Sequence, residues 1–190
     1  PLLTIWAGEL FIKAYEYFND EKYLQLAIEV KDYFVTEHPR EESENGVYFY
    51  YSPSGNFKIW NASCEISSFL LKAGKILSDS ISYKLGEKGM NLIIEKQNRD
   101  GSWFYGGTKA TRYIDNFHTG FMLRAINQAI TIYKSQKLEK ALKLGMKFYY
   151  NSLFEKKTDT QICPKHFLAK YIPLNSNIIQ KTDIRDCALS

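Results

Sequence analysis

Two segments of the chain, 55 residues apart, carry the same succession of turn and aromatic residues. Residues 45–50 (NGVYFY) align with residues 100–105 (DGSWFY), and the same offset carries Asn61 onto Asn116. An internal repeat limits the fold more strongly than any other feature of this sequence. Periods of roughly 20–50 residues are typical of stacked units that cannot bury their apolar faces alone.

Apolar residues between the repeated segments recur every three or four positions, which is the spacing of one face of an α-helix. Six such stripes begin at Leu3, Tyr23, Ile66, Gly86, Met122 and Leu138. Short connections near Asn19, Ser78 and Ser135 alternate with long ones, so the helices are predicted to form hairpins. In each long connection an Asx-Gly turn is followed by an extended aromatic segment and then by an Ile, Asp or Asn at the next helix start.

The repeat predicts an all-α fold of stacked helical hairpins with a period near 55 residues, either an open solenoid or an α/α toroid. The period breaks after Phe154, where Pro164 blocks helix formation, and a further hairpin begins near Thr182 without being completed. About three and a half hairpins would leave an apolar face uncovered. We therefore expect residues 1–190 to be one toroid domain and a fragment of a longer toroid, with missing hairpins or a partner chain on that face.

Charge and cysteine content limit the classes of partner and the cellular compartment that we expect for this protein. The net charge of +4 is spread among acids without a compact Lys or Arg run, which argues against a nucleic-acid partner. Cys64, Cys163 and Cys187 are odd in number and widely spaced, so we predict reduced thiols and a cytoplasmic protein. No apolar run approaches the roughly 18 residues of a membrane span.

The starts of alternate helices form the candidate site, because in a toroid they crowd around one end of the central cavity. Helix N-termini there favour anionic or hydroxyl-rich ligands. The polar positions at these starts are Glu9, residues 61–65, residues 112–118 and residues 183–186.

Asp115 and His118 are the strongest candidates for a catalytic pair, because residues three apart lie on the same face of a helix. Asp115 either orients His118 as a general acid/base or merely caps the helix while His118 fills a polar niche. Asp183 and Asp186 repeat this spacing, and carboxylates from separate repeats would suit glycoside cleavage, although capping also explains Asp183. The predicted catalytic residues are Asp115, His118 and Asp186.

Aromatic residues on the long connections are candidates for stacking on sugar rings. For Trp103 the alternative is that the ring fills the gap between consecutive hairpins. Arg112 would hold a uronate or phosphate in a bidentate pair, or would pair with Asp115. The predicted substrate-binding residues are Trp60, Asn61, Glu65, Trp103, Tyr105, Arg112, Asn116, Asp183 and Arg185.

The segments QNRDGSWFYG (97–106), YIDNFHTGFMLRAI (113–126) and TDIRDCA (182–188) resemble α/α-toroid proteins encoded in bacterial exopolysaccharide and lipopolysaccharide clusters. These include proteins named after the Vibrio polysaccharide protein VpsJ, and the resemblance covers roughly residues 1–190. Some relatives are labelled aminolevulinate dehydratase, a chemistry that needs a TIM barrel and a Schiff-base lysine and that this sequence does not support.

Gln97, Asp100, Gly101 and Trp103 are also similar to the QW motif of terpene cyclases, where the motif ties neighbouring helices together. The cyclase acids are unmatched, because residues 183–187 (DIRDC) carry Arg and Cys at the positions that need carboxylates. The zinc cysteines of lanthionine-cyclase toroids are also missing, so we predict no metal and no cofactor.

The resemblance implies a carbohydrate-active or carbohydrate-binding protein of bacterial exopolysaccharide or lipopolysaccharide biosynthesis, with an oligosaccharide or sugar as its substrate. The enzyme hypotheses are a glycoside hydrolase, a polysaccharide lyase and a sugar epimerase. The alternatives are a non-catalytic glycan-binding scaffold subunit and a prenyl-lipid handling toroid. An acid within hydrogen-bond reach of a His favours the enzyme, aromatics and amides alone favour the binder, and a deep apolar cavity favours the lipid.

Overall fold

The structure is a computed structural model that describes residues 1–44, 46–55, 57–158 and 161–165. Helices dominate this part of the chain, which confirms the all-α prediction. The helices are α1 (Leu2–Phe18), α2 (Glu21–Asp32), α3 (Trp60–Ile76), α4 (Ser80–Glu95), α5 (Asn116–Ile132) and α6 (Gln136–Ser152). The short strands β1 (Arg40–Ser43) and β2 (Gly46–Phe49) pair antiparallel, as do β3 (Phe154–Lys156) and β4 (Ile162–Pro164).

The tight turns between paired helices lie at the predicted positions. Asp20, Asp79 and Ser135 are the N-caps of α2, α4 and α6, and each side chain accepts a backbone N–H of the first helical turn. Asp79 Oδ1, for example, accepts from Ile81 at 3.0 Å. A cap of this kind stabilises a helix by about 1 kcal/mol, which explains why short polar connections suffice to turn the chain.

The helices form two layers. Helix α3 lies in the middle of the inner layer, where it contacts α1 on one side and α5 on the other. Helices α2, α4 and α6 lie outside and pack against their hairpin partners. This arrangement explains why α3 is buried along most of its length while the outer helices are buried on one face.

Separate apolar clusters fill the spaces between consecutive hairpins. Ile5, Phe34 and Phe69 belong to the cluster that joins the first hairpin to α3. Ile93 and Met122 belong to the cluster that joins the second hairpin to the third. Each hairpin therefore buries its apolar face on its neighbours, as the repeat predicts.

The connection between α4 and α5 begins with the predicted left-handed glycine, since Gly101 has a φ of 96°. Trp103 follows it and is buried in the second cluster, with 1% of its surface exposed, and its Nε1 donates to the Ile93 carbonyl at 2.9 Å. Gln97 Nε2 donates to the Ala141 carbonyl at 2.9 Å. The segment thus fastens α4 to α6, which is the structural role that the QW-like pattern implies. In the earlier copy Gly46 begins β2, and Asn45 lies outside the described residues.

Some local features depart from the sequence-based expectations. The segment before the first Asx-Gly turn forms β1, so the repeated connection begins with a β-hairpin rather than a plain turn. Helix α2 continues into a π-helical turn, Tyr33–Glu37, where the buried His38 follows and its Nε2 lies 2.8 Å from the Tyr50 carbonyl oxygen. This contact holds the end of the helix beside Tyr50, the residue that follows β2.

We expect Gly101→Ala to lower the free energy of unfolding by about 2–4 kcal/mol, measured by urea denaturation. The substitution adds left-handed strain, and its Cβ would lie 2.4 Å from the Leu144 carbonyl oxygen. Gly55→Ala is the matched control, because Gly55 also has a positive φ of 72° but its nearest neighbour, Pro39, would be 3.7 Å away. We expect it to cost about 1 kcal/mol. Equal losses in the two variants would show that the Leu144 contact is not the cause.

Candidate active site

The connections that precede α3 and α5 meet at one end of the inner layer. The Trp60 N–H donates to the Tyr105 carbonyl at 3.0 Å, and Ile59 forms a β-bridge with Gly106. Residues 57–61 and 96–118 therefore form one continuous surface, which we call the rim. The starts of neighbouring inner helices lie side by side there, as the toroid hypothesis requires.

Asp115 and His118 form a hydrogen-bonded pair at the start of α5. Asp115 is the N-cap, 3% exposed, and its Oδ1 accepts the His118 backbone N–H at 2.7 Å. Its Oδ2 lies 2.6 Å from His118 Nδ1. One carboxylate thus caps the helix and holds the imidazole, while proton transfer by His118 stays a prediction. The contact occupies Nδ1, so Nε2 is the ring nitrogen left for other partners.

Aromatic rings surround the exposed part of His118. The Tyr105 ring centroid is 4.2 Å from that of the imidazole, and the Phe117 ring lies 5.2 Å away at nearly a right angle. Tyr113 stacks on Tyr105 at 5.1 Å. Burial raises the pKa of both tyrosines, so their hydroxyls stay protonated at neutral pH. The imidazole therefore lies against an apolar wall that carries hydrogen-bond donors.

Asn61, in the first turn of α3, lines the same small cavity as His118 and Asp115. The residue is 2% exposed, and its Oδ1 accepts no hydrogen bond from any part of the chain that the structure describes. A buried acceptor without a donor is destabilising by about 1–3 kcal/mol. The pocket beside the Asp115–His118 pair is closed, with no room for a water-sized molecule, so a ligand group would reach Asn61 Oδ1 only after its walls moved apart.

A second polar cluster lies deeper on the inner face and joins α1, α3 and α5. Glu65 is 1% exposed and accepts from Arg124 Nη2 at 2.7 Å, while Arg124 Nη1 is 4.0 Å from Glu9 Oε2. Gln128 Nε2 donates to Glu9 Oε1 at 3.0 Å. Burial raises the pKa of Glu65 to about 7; Arg124 opposes this shift and Glu9 adds to it.

Of the predicted binding residues, Trp60, Asn61, Tyr105 and Arg112 lie on the rim. Trp60 is half-buried, with Lys96 Nζ 5.8 Å above its ring. Arg112 is exposed, and its guanidinium lies 5.0 Å over the Phe104 ring instead of pairing with Asp115. Glu65 lies one helical turn below Asn61, in the deeper cluster. Sequence reasoning did not single out Arg124 and Gln128, although an Arg within the apolar stripe of α5 is a signal for Arg124.

Trp103 and Asn116 require correction as binding residues, because the structure gives both a structural role. The Trp103 ring is enclosed in the core between hairpins, so its face is not open to a sugar. Asn116 is fully buried; its Nδ2 donates to the Leu153 carbonyl at 3.1 Å and its Oδ1 accepts from the Tyr149 hydroxyl at 2.9 Å. Asp183, Arg185 and Asp186 lie outside the described residues.

Neither a metal cluster nor a membrane helix is found in the described ranges. Within residues 1–44, 46–55, 57–158 and 161–165, no group of three or more His, Cys, Asp and Glu side chains is placed to hold a metal ion. No helix in those ranges combines the length and the apolar character that a membrane span needs.

Comparison with known proteins establishes the fold. No protein-family model matches the chain, and no curated protein matches it. Among solved structures, cellobiose 2-epimerase from Bacillus thermoamylovorans B4167 is 18% identical with a TM-score of 0.64, over 81% of this chain and 44% of that one. Unsaturated glucuronyl hydrolase from Bacillus sp. GL1, responsible for the degradation of glycosaminoglycan, is 9% identical with a TM-score of 0.54. The match covers 80% of this chain and 46% of the hydrolase chain.

The α/α-toroid prediction is therefore confirmed, and the described hairpins correspond to part of such a toroid. The chain spans less than half the length of either solved structure. At these identities the likeness concerns the fold alone. The VpsJ-like family stays a resemblance.

We expect Glu65→Gln to weaken the dependence of stability on pH. The folded chain holds a proton on Glu65 that the unfolded chain loses above about pH 4.5, so the free energy of unfolding falls as the pH rises from there to about 7. The variant lacks this loss, so its free energy of unfolding should fall less than that of the wild type between pH 5 and pH 8. Urea unfolding midpoints at pH 5 and pH 8 measure the difference. Glu29→Gln, exposed on α2, is the control and should keep the wild-type slope. An unchanged slope in Glu65→Gln would contradict the assignment.

Proposed function

We propose that the chain is part of a carbohydrate-active enzyme in which His118 transfers a proton and Asp115 orients it. The observation that carries this proposal is the 2.6 Å contact between Asp115 Oδ2 and His118 Nδ1, beside Asn61 Oδ1, which has no hydrogen-bond partner among the residues that the structure describes. A sugar carries hydroxyl donors that suit Asn61 and C–H faces that suit Tyr105. The α/α-toroid fold shared with a cellobiose 2-epimerase and a glucuronyl hydrolase supports the substrate class.

Among the candidate reactions, epimerisation at the carbon next to a sugar carbonyl fits the pair best. His118 Nε2 removes the proton from that carbon in the open-chain sugar, and the electron pair moves onto the carbonyl oxygen to give an enediolate. A proton returned to the opposite face restores the carbonyl and inverts the carbon. We propose Asp186 as the second acid, because it follows Asp183 by three residues, just as His118 follows Asp115.

Glycoside hydrolysis is less well supported by the described residues. Both hydrolytic mechanisms use two carboxyl groups beside the scissile bond, as general acid and as nucleophile or base. Asp115 is buried, and its two oxygens already bind the His118 backbone and ring. It is therefore placed to orient a base rather than to attack a sugar carbon.

A non-catalytic glycan-binding scaffold subunit is the second candidate. The observation that favours it is the half-buried position of Trp60 and Tyr105 on the rim, where aromatic rings would bind a sugar without any chemistry. We place either activity in bacterial exopolysaccharide or lipopolysaccharide biosynthesis, which the three VpsJ-like segments support. Prenyl-lipid handling gains no comparable support, because charged side chains line the grooves along the rim.

The test compares wild type with Asp115→Asn and His118→Gln against a panel of neutral and acidic disaccharides in D₂O. Epimerisation exchanges the proton next to the carbonyl for deuterium, and hydrolysis creates a new reducing end, so NMR separates the two. Asn caps helices as well as Asp does, so Asp115→Asn should keep α5 intact. We expect it to reduce turnover by about 10²-fold or more while saturation-transfer signals from the bound sugar persist.

The control for this test is Glu29→Gln, which should match the wild type. Binding without turnover in the wild type would select the scaffold function. Equal turnover in wild type and His118→Gln would remove His118 from the mechanism, and absence of binding to every sugar would overturn the carbohydrate assignment.

A further inference from the structure

A groove of about 600 Å³ lies on the rim beside the candidate active site. Its walls are Trp60, the end of α4 with residues 95–98, and the loop from Gly106 to Arg112. Phe104 lines both this groove and the His118 cavity, so the two are neighbours. The volume falls within the roughly 300–1,000 Å³ of small-molecule sites.

The groove carries an excess of positive charge. Lys96, Lys109 and Arg112 are exposed in it, and Glu95 is the acid among its lining residues. Within the described ranges, none of these three cations has an acidic partner. Cations without a counter-charge are available to an anionic ligand, and the guanidinium of Arg112 matches a carboxylate in a bidentate pair.

Aromatic faces stand beside these cations. Lys96 Nζ lies 5.8 Å above the Trp60 ring, and the Arg112 guanidinium lies 5.0 Å over the Phe104 ring. Stacking on a ring restrains a long side chain, which lowers the entropy cost of binding an anion with it. A ligand with an apolar face and a negative group would therefore meet both of its complements in the groove.

The loop that forms one wall is held by its own backbone. The Gly106 N–H donates to the Thr111 carbonyl at 3.0 Å, and the Gly107 N–H donates to the Lys58 carbonyl at 2.9 Å. A Cβ at Gly106 would lie 2.5 Å from the Lys58 carbonyl oxygen, so the two connections approach as closely as glycine permits. This wall is therefore preorganised, which favours binding.

An adjacent groove of about 380 Å³ shares Trp60 and Lys96 but is lined by Glu41 and Glu42. Glu41 is paired with Lys58, which also lines this groove, and Glu42 is paired with Arg40, so the groove offers a polyanion no excess of positive charge. The positive stretch is therefore short, which suits one or two anionic sugars better than a nucleic-acid backbone with a charge at every unit.

We propose that this groove binds an oligosaccharide bearing an anionic group, such as a uronate, with Arg112 and Lys96 on the anion and Trp60 on the sugar face. The inference rests on the proposed function and names its substrate class as acidic. The groove holds the anionic unit next to Phe104, which also lines the His118 pocket.

Isothermal titration with a galacturonate trimer and with maltotriose, its neutral counterpart in length, tests this proposal. We expect the wild type to bind the acidic trimer at least about tenfold more tightly in 50 mM salt, with the advantage shrinking at 300 mM. Arg112→Gln and Lys96→Gln should each weaken binding of the acidic trimer by about five- to tenfold. Lys143→Gln, exposed on α6, is the control and should bind like the wild type. Equal affinity for the two trimers would overturn the proposal.

Competition experiments identify the ligand class. Inorganic phosphate that displaces the acidic trimer at equal concentration would show that the sugar contributes nothing and would overturn the saccharide assignment. A single-stranded oligonucleotide that binds more tightly than the trimer through Arg112 would overturn it in favour of nucleic acid. Thermal midpoints of both groove variants within about 2 °C of the wild type would show that their losses are not due to unfolding.

His118→Gln separates this proposal from the proposed function. We expect it to abolish turnover but to keep binding of the acidic trimer within about twofold. If the protein binds uronate through Arg112 but shows no turnover, the proposed enzymatic function would be contradicted and the proposed role of the groove would be supported. Turnover of neutral and acidic sugars with equal affinity would support the enzyme and contradict the groove.

Discussion

The buried indole of Trp103 determines where the candidate site can form. Its hydrogen bond to Ile93 and its place in the core fix the connection that leads from α4 to α5. The two residues after Trp103 both reach the rim: Phe104 lines the positively charged groove and the His118 pocket, and the tilted Tyr105 ring lies against the imidazole. A residue that fills the gap between hairpins thus also positions the chemistry, although it binds no ligand itself.

Polar groups of the inner layer differ widely in exposure. At the rim, Arg112 is exposed and His118 keeps 28% of its side chain exposed, whereas Glu65 is almost fully buried and bound to Arg124. Burial of the Glu65 carboxyl would be strongly unfavourable without that partner. Through Glu9, Glu65, Arg124 and Gln128 the cluster joins three inner helices below the candidate site.

Local features of the sequence were enough to predict most of the fold. Stripes of apolar residues mark each helix, capping residues mark the tight turns, and Gly101 marks the left-handed turn, because all of these depend on neighbours close in sequence. The Asp115–His118 contact was predictable for the same reason. The Glu65–Arg124 pair was not, since it joins residues 59 positions apart on different helices. Trp103 and Asn116 show the opposite error, because composition alone does not say whether a polar or aromatic residue at a helix start faces a cavity or the next hairpin.

The double use of the Asp115 carboxylate couples the first turn of α5 to the imidazole. The oxygen that holds the His118 backbone and the oxygen that holds its ring belong to one rigid group, so neither contact can shift without disturbing the other. A ligand that pulls the imidazole out of place would loosen the helix end, and one that seats it would tighten it. The exchange rate of the His118 amide hydrogen should therefore change when any ligand contacts the imidazole, whatever the identity of that ligand.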